Sequence, residues 1–87
     1  MTTARAYNGK FCARVKALRE RRGWTQKVMA EVLDIPLANY EKYELRSPLP
    51  HRLIPRFCRI LDIDARDLLA VDDPLPNAKH GQPLKIL

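Results

Sequence analysis

The segment LDIPLANYEKYE, residues 33–44, contains the side chains best placed to recognise something. It has the layout of a turn followed by a short helix, and the residues facing outward at the start of that helix are Leu37 and Ala38. Lys42 lies one turn beyond Ala38 on the same face, because residues four apart on a helix are neighbours. An exposed cation there can donate hydrogen bonds, while Leu37 and Ala38 can make only apolar contact. Covalent chemistry finds no comparable cluster. His51 and His80 are far apart, the three glycines form no phosphate-cradling loop, and no pair of acids is embedded in apolar sequence, so the chain is not expected to be an enzyme. Cys12 and Cys58 could form at most one bridge, and with the two histidines they show no CxxC or HxxxH spacing. Neither a metal nor a cofactor is expected. Both cysteines fall on apolar faces of predicted helices, where a reduced thiol acts as a small hydrophobe.

A chain of 87 residues is long enough for one modest core of a few helices. Its 46% hydrophobic and 30% charged residues suit a soluble globular protein, and Val, Ile and Phe are too thinly spread to suggest sheets. No run approaches the roughly 20 apolar residues of a membrane span, and MTTARAYNGK has no apolar signal-peptide core. A cytoplasmic protein without a membrane partner is expected. The net charge of +6 is uneven: residues 1–33 carry eight Lys/Arg against Glu20 and Glu31, whereas residues 62–87 carry more acid than base. A positive field over the N-terminal two thirds suits a polyanion-facing surface, although such charge also serves to solvate a face. Arg14, Arg21 and Arg22 fit either use, and His51 is a weaker candidate for a phosphate contact.

The elements that must position these residues are helical. Phe11, Val15 and Leu18 recur at i, i+4 and i+7 among basic residues, which predicts an amphipathic helix from Phe11 onward with residues 1–10 as a flexible arm. Gly23 ends it in the left-handed conformation, and Trp24 folds back onto its last turn. Thr25 caps a second helix, Gln26 to Leu33, with Met29, Ala30 and Leu33 inward. Asp34 and Ile35 form a turn, Asp34 tolerating the left-handed region. A third helix is expected from Pro36 to Glu44 with Pro36 as its first residue and Tyr40 and Tyr43 inward. LRSPLP, residues 45–50, reads as a loop. A fourth helix is expected from about Arg52 to Leu61, with Pro55 in its first turn. Asp62 repeats the role of Asp34, and Asp64 caps a fifth helix from Ala65 to Ala70. Residues 71–87 are Pro-rich and aperiodic, as in an extended or disordered tail. Helices two and three, short and joined by two or three residues, cannot lie antiparallel. They should cross steeply and leave the N-terminus of the third protruding, the geometry that places a helix in a major groove.

On these residues the chain resembles the Cro/C1-type (XRE) helix-turn-helix family, the DNA-binding domains of lambdoid phage repressors and Cro proteins. The markers are RVKALRERRGWTQKVMAEVLDIPLANYEKYE followed without a gap by LIPRFCRILDIDARDLL, and in particular Gly23 before Thr25 and Gln26, Ala30 at the helix crossing, and Glu44 closing the third helix. The resemblance implies an all-α, five-helix domain over residues 11–70 that binds double-stranded DNA. It also implies a homodimer acting on a palindromic operator as a repressor. Gln26 would grip a phosphate and brace the third helix, with Lys27 beside it on the DNA side. Leu37, Ala38 and Lys42 would take base-reading positions, with Asn39 and Arg46 nearer the backbone. Arg19 and Glu44 match a partly buried salt bridge, and Leu53, Ala65, Arg66 and Leu68 match a dimer surface. The chain departs from the family pattern at Leu37 and Ala38, which reach thymine methyl groups rather than hydrogen-bonding edges. It departs again at SPLP, residues 47–50, which lacks the usual phosphate-holding cations. The alternative reading is a protein-binding adaptor or antirepressor that uses an apolar patch of Leu37, Ala38 and Leu49.

Overall fold

Chain direction changes sharply at three short turns, and in each one residue takes the left-handed conformation. In the computed structural model, which describes residues 4–76, these are Gly23 (φ 84°), Asp34 (φ 59°) and Asp62 (φ 56°). They lie between α1 (Ala4–Arg22) and α2 (Gln26–Leu33), between α2 and α3 (Leu37–Leu45), and between α4 (Ile54–Leu61) and α5 (Ala65–Leu69), while a loop and a single 3-10 turn, His51–Leu53, lead from α3 into α4. The described residues contain no strand, so the architecture is all-α with five helices. At Gly23 the backbone N–H groups of Gly23 and Trp24 return to the carbonyls of Glu20 and Arg19, satisfying acceptors that end α1. Thr25 starts α2 by accepting a hydrogen bond from the Val28 N–H at 3.1 Å.

The two aspartates build the same device twice. Ile35 N–H returns to Ala30 O at 3.1 Å, and Ile63 N–H returns to Cys58 O at 3.0 Å. In each case the aspartate's positive φ lets the chain leave a helix at once, and the following isoleucine turns back toward the core. Pro36 is the N-cap of α3, not its first residue: it keeps an extended backbone (ψ 143°), and its carbonyl accepts from Asn39 and Tyr40. Before α4, the Leu53 N–H closes a tight turn on Pro50 O at 2.9 Å, so His51–Leu53 are 3-10 and the α-helix begins only at Ile54. Pro55, in the first turn, has no N–H to leave unpaired.

One expectation about the ends requires correction. Residues 4–10 are not an arm but the first turns of α1. Tyr7 stacks on Phe11, with ring centroids 6.3 Å apart, and its hydroxyl donates to Leu69 O at 2.8 Å. Lys10 pairs with Asp72 at 2.6 Å. The contacts to Leu69 and Asp72 come from more than sixty residues away, so the apolar spacing of α1 does not announce them. Residues 71–76 are non-helical, as expected, and are tied to α1 by side-chain hydrogen bonds. The Arg14 guanidinium donates to the carbonyls of Asp67, Asp73 and Pro74, and Arg21 donates to Pro76 O. Residues 1–3 of the expected arm and 77–87 of the expected tail lie outside the described residues.

The core is built from every helix. Phe11, Val15 and Leu18 of α1 meet Met29, Ala30 and Leu33 of α2, Tyr40 of α3, Phe57, Cys58 and Leu61 of α4 and Leu68 of α5. Leu49 closes it from the loop at 3% exposed, and is therefore unavailable to the surface patch that an adaptor reading needs. Cys12 and Cys58 are both buried free thiols, and burial pushes both above the ordinary thiol range. Cys58 packs within the apolar core, and the buried Cys12 thiol donates to Ser47 O at 3.4 Å.

Candidate nucleic-acid interface

A single carboxylate holds α3 against its neighbours. Glu44, in the last turn of α3, is buried. Arg19 of α1 donates to it through Nε at 2.6 Å and through Nη2 at 3.1 Å. Gln26, the first residue of α2, donates through Nε2 at 2.9 Å, and the Tyr40 hydroxyl donates one turn back along α3. Three helices therefore converge on two oxygens. Arg19 also donates to Trp24 O, which ties the α1–α2 turn to the same cluster. Arg22, one residue before the turn, lies over the Trp24 ring at 4.9 Å from its centroid.

Burial by itself would raise the Glu44 carboxyl, but the hydrogen bonds from Arg19, Tyr40 and Gln26 overcome it and hold the group below its ordinary value of 4.5. Burial, and then the hydrogen bond to Glu44, raise the Tyr40 hydroxyl, so it remains a neutral donor. A carboxyl depressed on folding contributes stability that is complete above its unfolded value and is lost as pH falls through its folded value. Urea midpoints should therefore fall with acidification below about 4.5 in the native chain, and Glu44→Gln should flatten that fall. Parallel midpoint curves for the two proteins would show that the Glu44 charge adds nothing to stability.

Leu37 is 39% exposed at the very start of α3, and on the side away from Tyr40 and Glu44 Ala38 is exposed and Lys42 and Asn39 are half-buried. Arg46 is exposed just past the helix end, and Lys27 is exposed on α2 beside the half-buried Gln26. The buried side of the same helix presents Tyr40 and Glu44. Tyr43, expected inward, is only partly covered. One helix thus has an anchored face and an open one, and its open residues run from the apolar tip to Glu41 and Lys42, with Arg46 just past the helix end.

The residues matched to a dimer surface divide differently. Ala65 and Arg66 are exposed, but Leu53 is 8% exposed and Leu68 is 0% exposed, because both side chains close the monomer's own core. Arg14, a candidate for phosphate, is 6% exposed and already saturated by backbone carbonyls. Conversely, Arg52, Arg56 and Arg59, to which the sequence reading gave no role, are all exposed. Their i, i+4, i+7 spacing was a legible signal of a shared face.

No helix among the described residues is long and apolar enough to cross a membrane. No group of three or more His, Cys, Asp or Glu there is arranged to hold a metal ion. The family described as a helix-turn-helix domain matches residues 11–71, a span that takes in the turn, α3 and the Glu44 cluster. No curated protein and no solved structure gives a match.

Proposed function

The chain belongs to the helix-turn-helix domain family, and from that premise we propose that it is a sequence-specific DNA-binding transcriptional regulator. In this reading it is a repressor of Cro/C1 type that binds a short palindromic operator as a homodimer. The observation that carries the reading is the two-sided character of α3. Leu37 and Ala38 stay open at its start and Lys42 is partly open one turn later, while Tyr40 and Glu44 pin its inner side into the core. A helix held this firmly by one face can present the other to the edges of bases.

Within the groove, Leu37 and Ala38 pack on thymine methyl groups, while Lys42 and Asn39 supply hydrogen bonds to base edges or nearby backbone. Lys27, Gln26 and Arg46 hold phosphates and set the register. Gln26 also braces α3 through Glu44, as its 2.9 Å hydrogen bond supports. The second copy docks through Ala65 and Arg66, since Leu53 and Leu68 are occupied internally.

Selection of bound duplexes from a random pool, followed by mobility shifts of the enriched sequence at two salt concentrations, tests the proposal. The expected result is an enriched site with two half-sites about one helical turn apart and binding that weakens steeply with salt. An unenriched pool with no salt-sensitive shift would instead favour an adaptor that meets another protein through Leu37 and Ala38.

A further inference from the structure

The 3-10 turn and the fourth helix carry a row of cations that form no ion pair with a described residue. Arg52, Arg56 and Arg59 are exposed and separated by four and three residues, so they share one face of the 3-10 turn and α4. None forms an ion pair with a described residue. The sequence has no acidic residue between Glu44 and Asp62, so the row lies in a stretch that is wholly basic or neutral. The other face of the helix is buried through Phe57, Cys58 and Leu61. The element is therefore fixed, and its arginines project from a rigid support.

The position of the row relative to α3 comes from one contact. Arg56 Nη1 donates to Leu33 O at 3.4 Å, the carbonyl at the end of α2 that immediately precedes the Asp34–Pro36 turn. The row therefore flanks the turn that presents Leu37 and Ala38. The loop on the other approach, residues 47–50, contains no Lys or Arg. From Arg52 to Arg59 the row is about 10 Å long, at about 1.5 Å of rise per residue. A DNA strand carries one phosphate per about 3.4 Å of helix axis, so a strand passing the row brings up to about three phosphates within reach.

We infer that Arg52, Arg56 and Arg59 form a phosphate-binding ridge along the 3-10 turn and α4 that grips the DNA backbone beside the groove entered by α3. This rests on the DNA-binding reading above and adds to it where the loop cations are missing. The ridge contributes affinity without sequence preference, because phosphates carry no base identity. Planar guanidinium groups suit this role, since each can pair two N–H donors with phosphate oxygens.

The test uses the full chain, a fluorescent duplex of random sequence and the enriched operator, titrated from about 50 to about 300 mM salt. Each phosphate contact contributes about 0.9 to the slope of log affinity against log salt, so R52Q/R56Q/R59Q should lose about two to three units of slope on both duplexes. The ratio of operator to random affinity should stay unchanged. Because Arg56 also caps α2, R52Q/R59Q is the variant that decides if the triple variant fails to fold, with an expected loss of about two units. Native slopes in a folded R52Q/R59Q variant would overturn the inference and leave the row as a solvated face or a site for an acidic protein. If the native chain binds neither duplex, the DNA-binding reading falls and the ridge falls with it. Specific binding by the native chain together with an unchanged variant slope would sink the ridge alone.

Discussion

Replacing Arg19 by alanine is expected to cost the fold about 3–5 kcal/mol in a urea titration, the range for breaking one side of a buried ion pair. The cost arises mainly from what is left behind. Glu44 would keep its charge in a site where its side chain is 2% exposed, with only Tyr40 and Gln26 as donors. The Trp24 carbonyl would lose its donor as well. Small domains are stable by about 5–15 kcal/mol in all, so this single change consumes a large fraction of the total. The pair is not thereby a net gain over an apolar alternative. Arg19→Met combined with Glu44→Leu should recover most of the loss, because it removes both charges at once. A double variant as unstable as Arg19→Ala would show that geometry, not the orphaned carboxylate, sets the cost. Since Gln26 and Tyr40 also converge on Glu44, the apolar double variant should bind DNA more weakly than its stability suggests, through a less firmly seated α3.

Lys42→Ala is expected to cost about 1–3 kcal/mol on the selected operator, the worth of one good base contact, and far less on random DNA. At about 1.4 kcal/mol per tenfold, that corresponds to a loss of roughly 5- to 150-fold in affinity. Arg46→Ala should behave in the opposite way. It should weaken every sequence alike and lower the salt slope by about one, as the loss of one phosphate contact does. The contrast follows from position: Lys42 lies one turn from Ala38 on the open face of α3, whereas Arg46 follows the helix end in a non-helical conformation. Competition titrations with operator and random duplexes separate the two effects. Equal losses on both duplexes for Lys42→Ala would remove it from base readout, and full operator affinity in both variants would mean that α3 is not the reading element.

Much of the architecture was legible because its signals are local. Gly23, Asp34 and Asp62 mark helix ends through a property of single residues, their tolerance of positive φ. The spacing of Phe11, Val15 and Leu18, and of Met29, Ala30 and Leu33, identifies inward faces within two turns of helix. Thr25 signals the start of α2 in the same way. The open tip of α3 was legible too, since Leu37 and Ala38 directly follow Pro36 in the first turn of the helix, ahead of the inward Tyr40.

Tertiary structure alone decided the remainder. Arg14 reads as a surface cation in sequence, yet carbonyls more than fifty positions away bury it. Leu49, Leu53 and Leu68 are apolar residues with no local mark of inside or outside, and the helices that happen to close over them put all three in the core. The start of α1 at Ala4 depends on Leu69 O and Asp72, at the other end of the described chain. Conformational preference is a property of neighbouring atoms and can be read in a short window, whereas burial depends on which distant surfaces meet. The sequence therefore specified the helices and their turns, while packing determined which charges and apolar side chains remain free to touch anything else.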